Sequence, residues 1–273
     1  MKDPQTLAAV AGAPVPSASN GAAPTPPIAA PATVPRVPGA PELTKDGLYV
    51  FSASRIELVV DPNRDGNAVR FALDDRNVLA APAAGTTRYS AEIEVGALLL
   101  KSPDGITQKR YRLDAARRWV EASYTLTNTT TETIHVQAAE QHAVSFAGGV
   151  TFFPNAPTAP FAWFLHQPPR VAPPLRGSLS VGHSWVASAG EGMLFIEDHR
   201  GISATELSVA SAYDSKTKER PWLEIGARSP DFELTPGTSA TWNTLWFLRH
   251  LPPSITVKPG NQALVDFVLG VLD

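Results

Sequence analysis

Glu140, Gln141 and His142 bring a carboxylate and an imidazole to the end of a segment whose alternation forecasts buried side chains. The run ASYTLTNTTTETIHVQAAEQHAVSF, residues 122–146, can be read by parity. Val120, Ala122, Tyr124 and Leu126 alternate with Glu121, Ser123, Thr125 and Thr127, the period of a strand with one buried face. Asn128 to Glu132 is a polar turn, and Ile134, Val136 and Ala138 form the apolar set of a return strand, so a β-hairpin is expected. Continued without a bulge, that strand puts Glu140 and His142 on the apolar face and His135 on the other. His142 is thus the histidine to explain, either as a ligand-binding acid–base group or as a hydrogen-bonded core histidine at a sheet corner. Glu140 either orients it or returns to solvent after a bulge.

A second carboxylate, Glu224, follows Trp222 by two residues and so shares its strand face, with Leu223 and Ile225 opposite. A carboxylate beside an indole suits a sugar, whose C–H face packs on aromatic rings while its hydroxyls bind carboxylates. The other reading is an edge-strand glutamate in a surface ion pair. The Pro- and aromatic-rich stretch Phe152 to Gly177 is expected to be a long loop. Its Phe161, Trp163, Phe164 and His166 either line a cleft or seal the fold. EDHRG, residues 197–201, has metal-capable residue types, but HExxH and HxH are absent from the sequence. A structural turn is expected there, with no metal site and no cofactor. GxSxG, Walker A and GxGxxG motifs are also absent, which argues against hydrolase, phosphate and dinucleotide chemistry.

The elements that must position these groups are short. LYVF, IELVV, AVRFAL, QKRYRL, GMLFIED, WLEI and WNTLWFL are strand-like runs separated by Pro, Gly, Asn and Asp, the pattern of an all-β sandwich. One helix is expected near the end, capped by Asn261, with Leu264, Val265, Val268, Val271 and Leu272 at helical spacing. Residues 1–41 are dominated by Ala and Pro and form an expected disordered tether, leaving 42–273 as one β domain. With 43% hydrophobic residues the 273-residue chain can fill a sizeable core. A net charge of −3 with scattered Lys and Arg argues against nucleic acid. The absence of cysteine excludes disulfides, thiolate zinc sites and cysteine nucleophiles. No apolar run approaches a membrane span. An Ala/Pro tether on a folded domain suggests export, hence a periplasmic or extracellular location, and a monomer is expected.

Three segments in order carry a resemblance. RIELVVDPNRDGNAVRFALDDRNVL (residues 55–79), WVEASYTLTNTTTETIHV (119–136) and WLEIGARSPDFELTPGTSATW (222–242) resemble the opening, the sheet hairpin and the closing segment of the galactose mutarotase-like superfamily. The resemblance implies a β-supersandwich with a short C-terminal helix and a sugar cleft on one sheet. Its partner would be a mono- or oligosaccharide. In the epimerases of that superfamily a Glu takes the proton of the anomeric hydroxyl while a His protonates the ring oxygen. Glu224 matches the position of the base and His142 that of the acid, with Arg70 of GNAVRF as a substrate-binding candidate. The epimerases also carry a second histidine; His166, His183 and His199 lie in the intervening region, and none of them has a matching context. A carbohydrate-binding protein is the principal expectation. The alternatives are an aldose 1-epimerase-type mutarotase and a non-catalytic scaffold.

Overall fold

Apolar runs broken every few residues by Gly, Pro, Asn or Asp become short antiparallel strands in the computed structural model of the chain. Described are residues 37–273 apart from 81–84, 86, 147, 156–158, 167–174, 178–184, 200–205 and 213–221. Strands β1 to β5 (Pro41–Leu43, Tyr49–Ala53, Ile56–Asp61, Asn67–Leu73 and Arg76–Asn77) form a five-stranded meander. Four strands of a nine-stranded sheet are β6 (Ser90–Glu94), β7 (Ala97–Lys101), β8 (Thr107–Asp114) and β9 (Trp119–Thr127). Next in the chain, β10 (Ile134–Val136) and β11 (Ala139–Val144) leave that sheet. The hairpin of β12 (Val150–Pro154) and β13 (Phe161–Leu165) rejoins it. β14 (Leu175–Gly177), β15 (Trp185–Gly190), β16 (Met193–Asp198), β17 (Glu206–Ala212), β18 (Trp222–Arg228), β19 (Phe232–Leu234) and β20 (Ser239–His250) follow, and helix α1 (Gln262–Leu272) ends the fold. The large sheet runs β13-β12-β15-β16-β20-β9-β8-β7-β6, a smaller one runs β11-β18-β17-β14, and β10 pairs with β19.

The expected hairpin over residues 122–146 does not form. The parity of β9 is as read, with Val120, Ala122, Tyr124 and Leu126 buried, but β9 is flanked by β8 and β20. The return segment crosses to other partners, β10 to β19 and β11 to β18. Asn128 makes the crossing: its buried side-chain amide donates to the carbonyls of Glu132 and Leu234, and its Oδ1 accepts from Thr130 N. A polar turn that satisfies its backbone through the side chain of Asn128 needs no ladder partner.

Two cores flank the large sheet. On one face Met193, Phe195, Trp242, Trp246 and Leu248 meet Val144, Leu223 and Ile225 of the smaller sheet and Phe71 of β4. On the other, Phe152, Trp185, Ile196 and Phe247 meet Leu264, Val265 and Val268 of α1. β15 and β16 are therefore buried on both faces, which explains the nearly unbroken apolar run in GMLFIED. Asn261 caps α1 as expected, its side chain accepting from Ala263 N at 3.2 Å. The fold begins slightly before residue 42: Pro41 is buried in β1, and Gly39, at φ +83°, donates its N–H to Ser52 O. A Cβ at Gly39 would lie 2.7 Å from the carbonyl oxygen of Leu113, so glycine is required there. Residues 1–36 of the expected tether lie outside the described residues. No helix among the described residues is long and apolar enough to cross a membrane.

Candidate functional site

Strand parity assembles a polar cluster inside the first core. On β11, Glu140 and His142 alternate with Gln141 and project between the sheets. On β16, Met193, Phe195 and Glu197 face the same space, and His199 continues their parity just beyond the strand end. Two Glu-x-His pairs, 140–142 and 197–199, therefore meet across the sandwich, all four residues less than one-tenth exposed. β20 supplies the bed: Trp242 stacks on the His199 ring (5.2 Å, 10°), Thr244 donates to Glu140, and Trp246 sets its ring edge-on to His142 at 4.6 Å. Glu140 Oε1 accepts from Tyr124 OH at 2.8 Å and lies 2.9 Å from His142 Nε2. The same imidazole nitrogen is 3.0 Å from Glu197 Oε1, but its single N–H serves Glu140, and Glu197 Oε1 has no hydrogen-bond partner.

Burial and mutual charge set the protonation states. Burial pushes the Glu140 carboxyl up, but the hydrogen bond and charge of His142, the His199 charge and the Tyr124 hydroxyl outweigh it and hold the group below its ordinary value. Burial pulls His142 down, and the Glu197 and Glu140 carboxylates more than reverse this, leaving it raised. Burial lifts Glu197 to about 8 and lowers His199 to about 4. At neutral pH Glu140 is thus ionised and His199 neutral.

Glu140 also lines a cleft of about 340 Å³, together with Asp65, Asn67, Lys109, Ala139, Gln141 and Gly226 to Arg228. Its wall is dominated by hydrogen-bonding groups. Lys109, on β8, is almost wholly buried, and its ammonium donates to Asp65 O at 2.8 Å and Asn67 Oδ1 at 2.6 Å. Burial lowers Lys109 to about 8, against the opposing pull of Glu140 and Asp65.

No family model and no curated protein matches the sequence. Solved structures do match. A galactose mutarotase related enzyme from Lactobacillus acidophilus superposes with a TM-score of 0.61 at 9% identity, over 77% of this chain and 99% of that one. A galactose mutarotase-like protein from Lactobacillus casei gives 0.54 at 9% identity over 74% and 100%. A third, from Clostridium acetobutylicum, gives 0.52 at 8% over 77% and 98%. The chain has the galactose mutarotase-like fold. At these identities the likeness is one of fold alone.

Within the galactose mutarotase-like fold the two residues matched to the epimerase pair are not brought together. His142 stands opposite Ile225 in the β11–β18 ladder, whereas Glu224 stands opposite Ala143. Glu224 therefore leaves the other face of the small sheet, half-buried beside Gln141 and on the side of Trp222, away from the core. Arg70 pairs with Glu57 and donates to the Asp75 carbonyl, so it acts at the surface of the five-stranded sheet. The expected long loop is largely the β12–β13 hairpin, with residues 156–158 and 167–174 outside the described residues. Trp163 stacks on Phe152 at 4.4 Å and Phe161 packs on Trp185, both in the second core behind the large sheet. Of the candidate second histidines, His199 joins the cluster, His183 lies outside the described residues, and His166 has a structural place. Sequence reasoning assigned Glu197 to a structural turn, whereas it lies in β16; it read Tyr124 only as a buried strand residue and left out Lys109, Asn67 and Thr244. The repeated Glu-x-His spacing was the available signal for Glu197 and His199.

His166 gives a pH-dependent prediction. Phe146 N donates to its Nδ1 at 3.2 Å, so Nδ1 must be unprotonated and Nε2 faces Thr151 Oγ1 at 2.9 Å. Burial lowers its pKa to about 4, below the ordinary histidine value of about 6.5. The unfolded chain therefore binds the extra proton first. The stability from neutral His166 is full above pH ~6.5 and is lost as pH falls toward ~4. Denaturant unfolding between pH 4 and 7 should show this slope, and His166→Gln should flatten it by up to one proton's worth. An unchanged slope in the variant contradicts the assignment.

Proposed function

We propose that the protein binds carbohydrate in the cleft over Glu140 and does not catalyse anomer exchange. The observation that carries this reading is the cleft's wall. Carboxylate, ammonium, amide and guanidinium side chains, from Glu140, Lys109, Asn67, Gln141 and Arg228, line one space of sugar size. Pockets of about 300 Å³ and above hold small ligands, and a wall of this polarity favours hydroxyl-rich ones. The galactose mutarotase-like fold supports the same class of partner. Mutarotation needs a base and an acid on either side of one pyranose. Here His142 is hydrogen-bonded to Glu140 at 2.9 Å, which leaves no room for a ring between them, and Glu224 faces elsewhere. The location that suits this function is the periplasm or the cell exterior, as the Ala/Pro-rich residues 1–41 suggest.

The test uses the rim of the cleft. Gln141 and Arg228 are exposed, so their replacement by alanine leaves the fold within about 0.5 kcal/mol of the parent. Two lost hydrogen bonds of about 1 kcal/mol each predict a loss of sugar affinity of at least about tenfold in Gln141→Ala/Arg228→Ala. Calorimetric titration with the sugars that a glycan screen selects reads this directly. Unchanged affinity in the double variant places the sugar elsewhere.

A further inference from the structure

The four buried residues of the facing Glu-x-His pairs carry more polar atoms than the protein satisfies. Glu140 Oε2, Glu197 Oε1 and both ring nitrogens of His199 are buried without a hydrogen-bond partner, while Tyr124, Thr244 and His142 all converge on Glu140 Oε1. Each orphaned buried group destabilises the fold by about 1 to 3 kcal/mol, so four in one cluster require a physical reason. One donor atom each from Glu140, His142 and Glu197 lie within 4.8 Å of one another, and His142 Nε2 is 2.9 and 3.0 Å from the two carboxylate oxygens. Oxygen and nitrogen ligands at about 2.0 to 2.2 Å from a metal ion stand about 3 to 3.5 Å apart. The cluster is already at that spacing.

We propose that Glu140, His142 and Glu197 form a site for one divalent first-row transition cation, entered from the cleft over Glu140. Two carboxylates and one imidazole suit Zn²⁺, Co²⁺, Mn²⁺ or Fe²⁺, whereas Ca²⁺ and Mg²⁺ prefer oxygen alone. His199, stacked on Trp242, borders the site without belonging to the donor group. Tyr124 and Thr244, which donate to Oε1 of Glu140, fix the orientation of that carboxylate. Lys109, in electrostatic reach of Glu140, stands on the cleft side and is occupied by Asp65 and Asn67.

The test is a titration of the untagged full chain, stripped with chelator and without sugar, with Co²⁺ followed by visible absorption. One equivalent should produce ligand-field bands, and one equivalent of Zn²⁺ should remove them. Glu197→Gln and His142→Gln should each abolish uptake. Should one of them fail to fold, the parent spectrum and the other variant decide. No uptake of Co²⁺, Zn²⁺ or Mn²⁺ at micromolar concentration by the parent overturns the proposal, as does uptake that a folded variant leaves unchanged. Because sugar is absent, neither outcome depends on carbohydrate binding.

Discussion

Glu140→Ala should destabilise the protein by about 3 to 5 kcal/mol, the range for breaking a buried ion pair by deleting one member. The residue is 4% exposed, and its Oε1 accepts from Tyr124, Thr244 and His142 together. Its removal takes the shared acceptor from the His142 Nε2–H, the Tyr124 hydroxyl and the Thr244 hydroxyl at once, and leaves these buried donors unpaired. Denaturant unfolding of parent and variant at pH 7 should show a lower midpoint with an unchanged slope. The comparison is Glu224→Ala, a half-buried carboxylate on the outer face, whose effect should stay within about 0.5 kcal/mol. Equal effects of the two substitutions contradict the placement of the cluster.

Leu264→Ala should lower stability by about 2 to 5 kcal/mol. Leu264 is fully buried in the second core, where α1 covers Phe152, Trp185 and Phe247 on the outer face of the large sheet. An 11-residue helix is too short to persist alone in water, so its stability comes from this face. The truncation leaves a cavity against β15 and β16, both buried on two sides with little freedom to collapse onto it. Thermal or denaturant unfolding checks it. A variant that melts with the parent shows α1 to be detached from the sheet.

These two residues mark what could be read from the sequence. Leu264 and its helix were legible because the apolar spacing, the Asn261 cap and the packing face all follow local rules. The parity of Glu140 and His142 was legible for the same reason, since a strand without a bulge keeps its faces. Pairing was not. Residues 122–146 carry the alternation of a hairpin, yet Asn128 sends the return segment to β18 and β19 rather than back to β9. Which strands meet is decided by inter-sheet packing, which no local signal encodes. Glu224 fell on the wrong side for the expected pair because one step of register along β18 exchanges the core and outer faces. Glu197 and Lys109 are far from Glu140 in sequence, and only the crossing of the two sheets brings them together.

The most direct measurement follows amide chemical shifts of the parent chain while freshly dissolved α-aldoses and short oligosaccharides are added, with the sugar anomers read in the same NMR sample. Binding in the cleft predicts saturable shifts at Asn67, Gln141 and Gly226 for at least one sugar, with α and β anomers interconverting at the rate of buffer alone. Shifts confined to Trp222 and Glu224, faster anomer exchange, or no saturable shift with any sugar would contradict it.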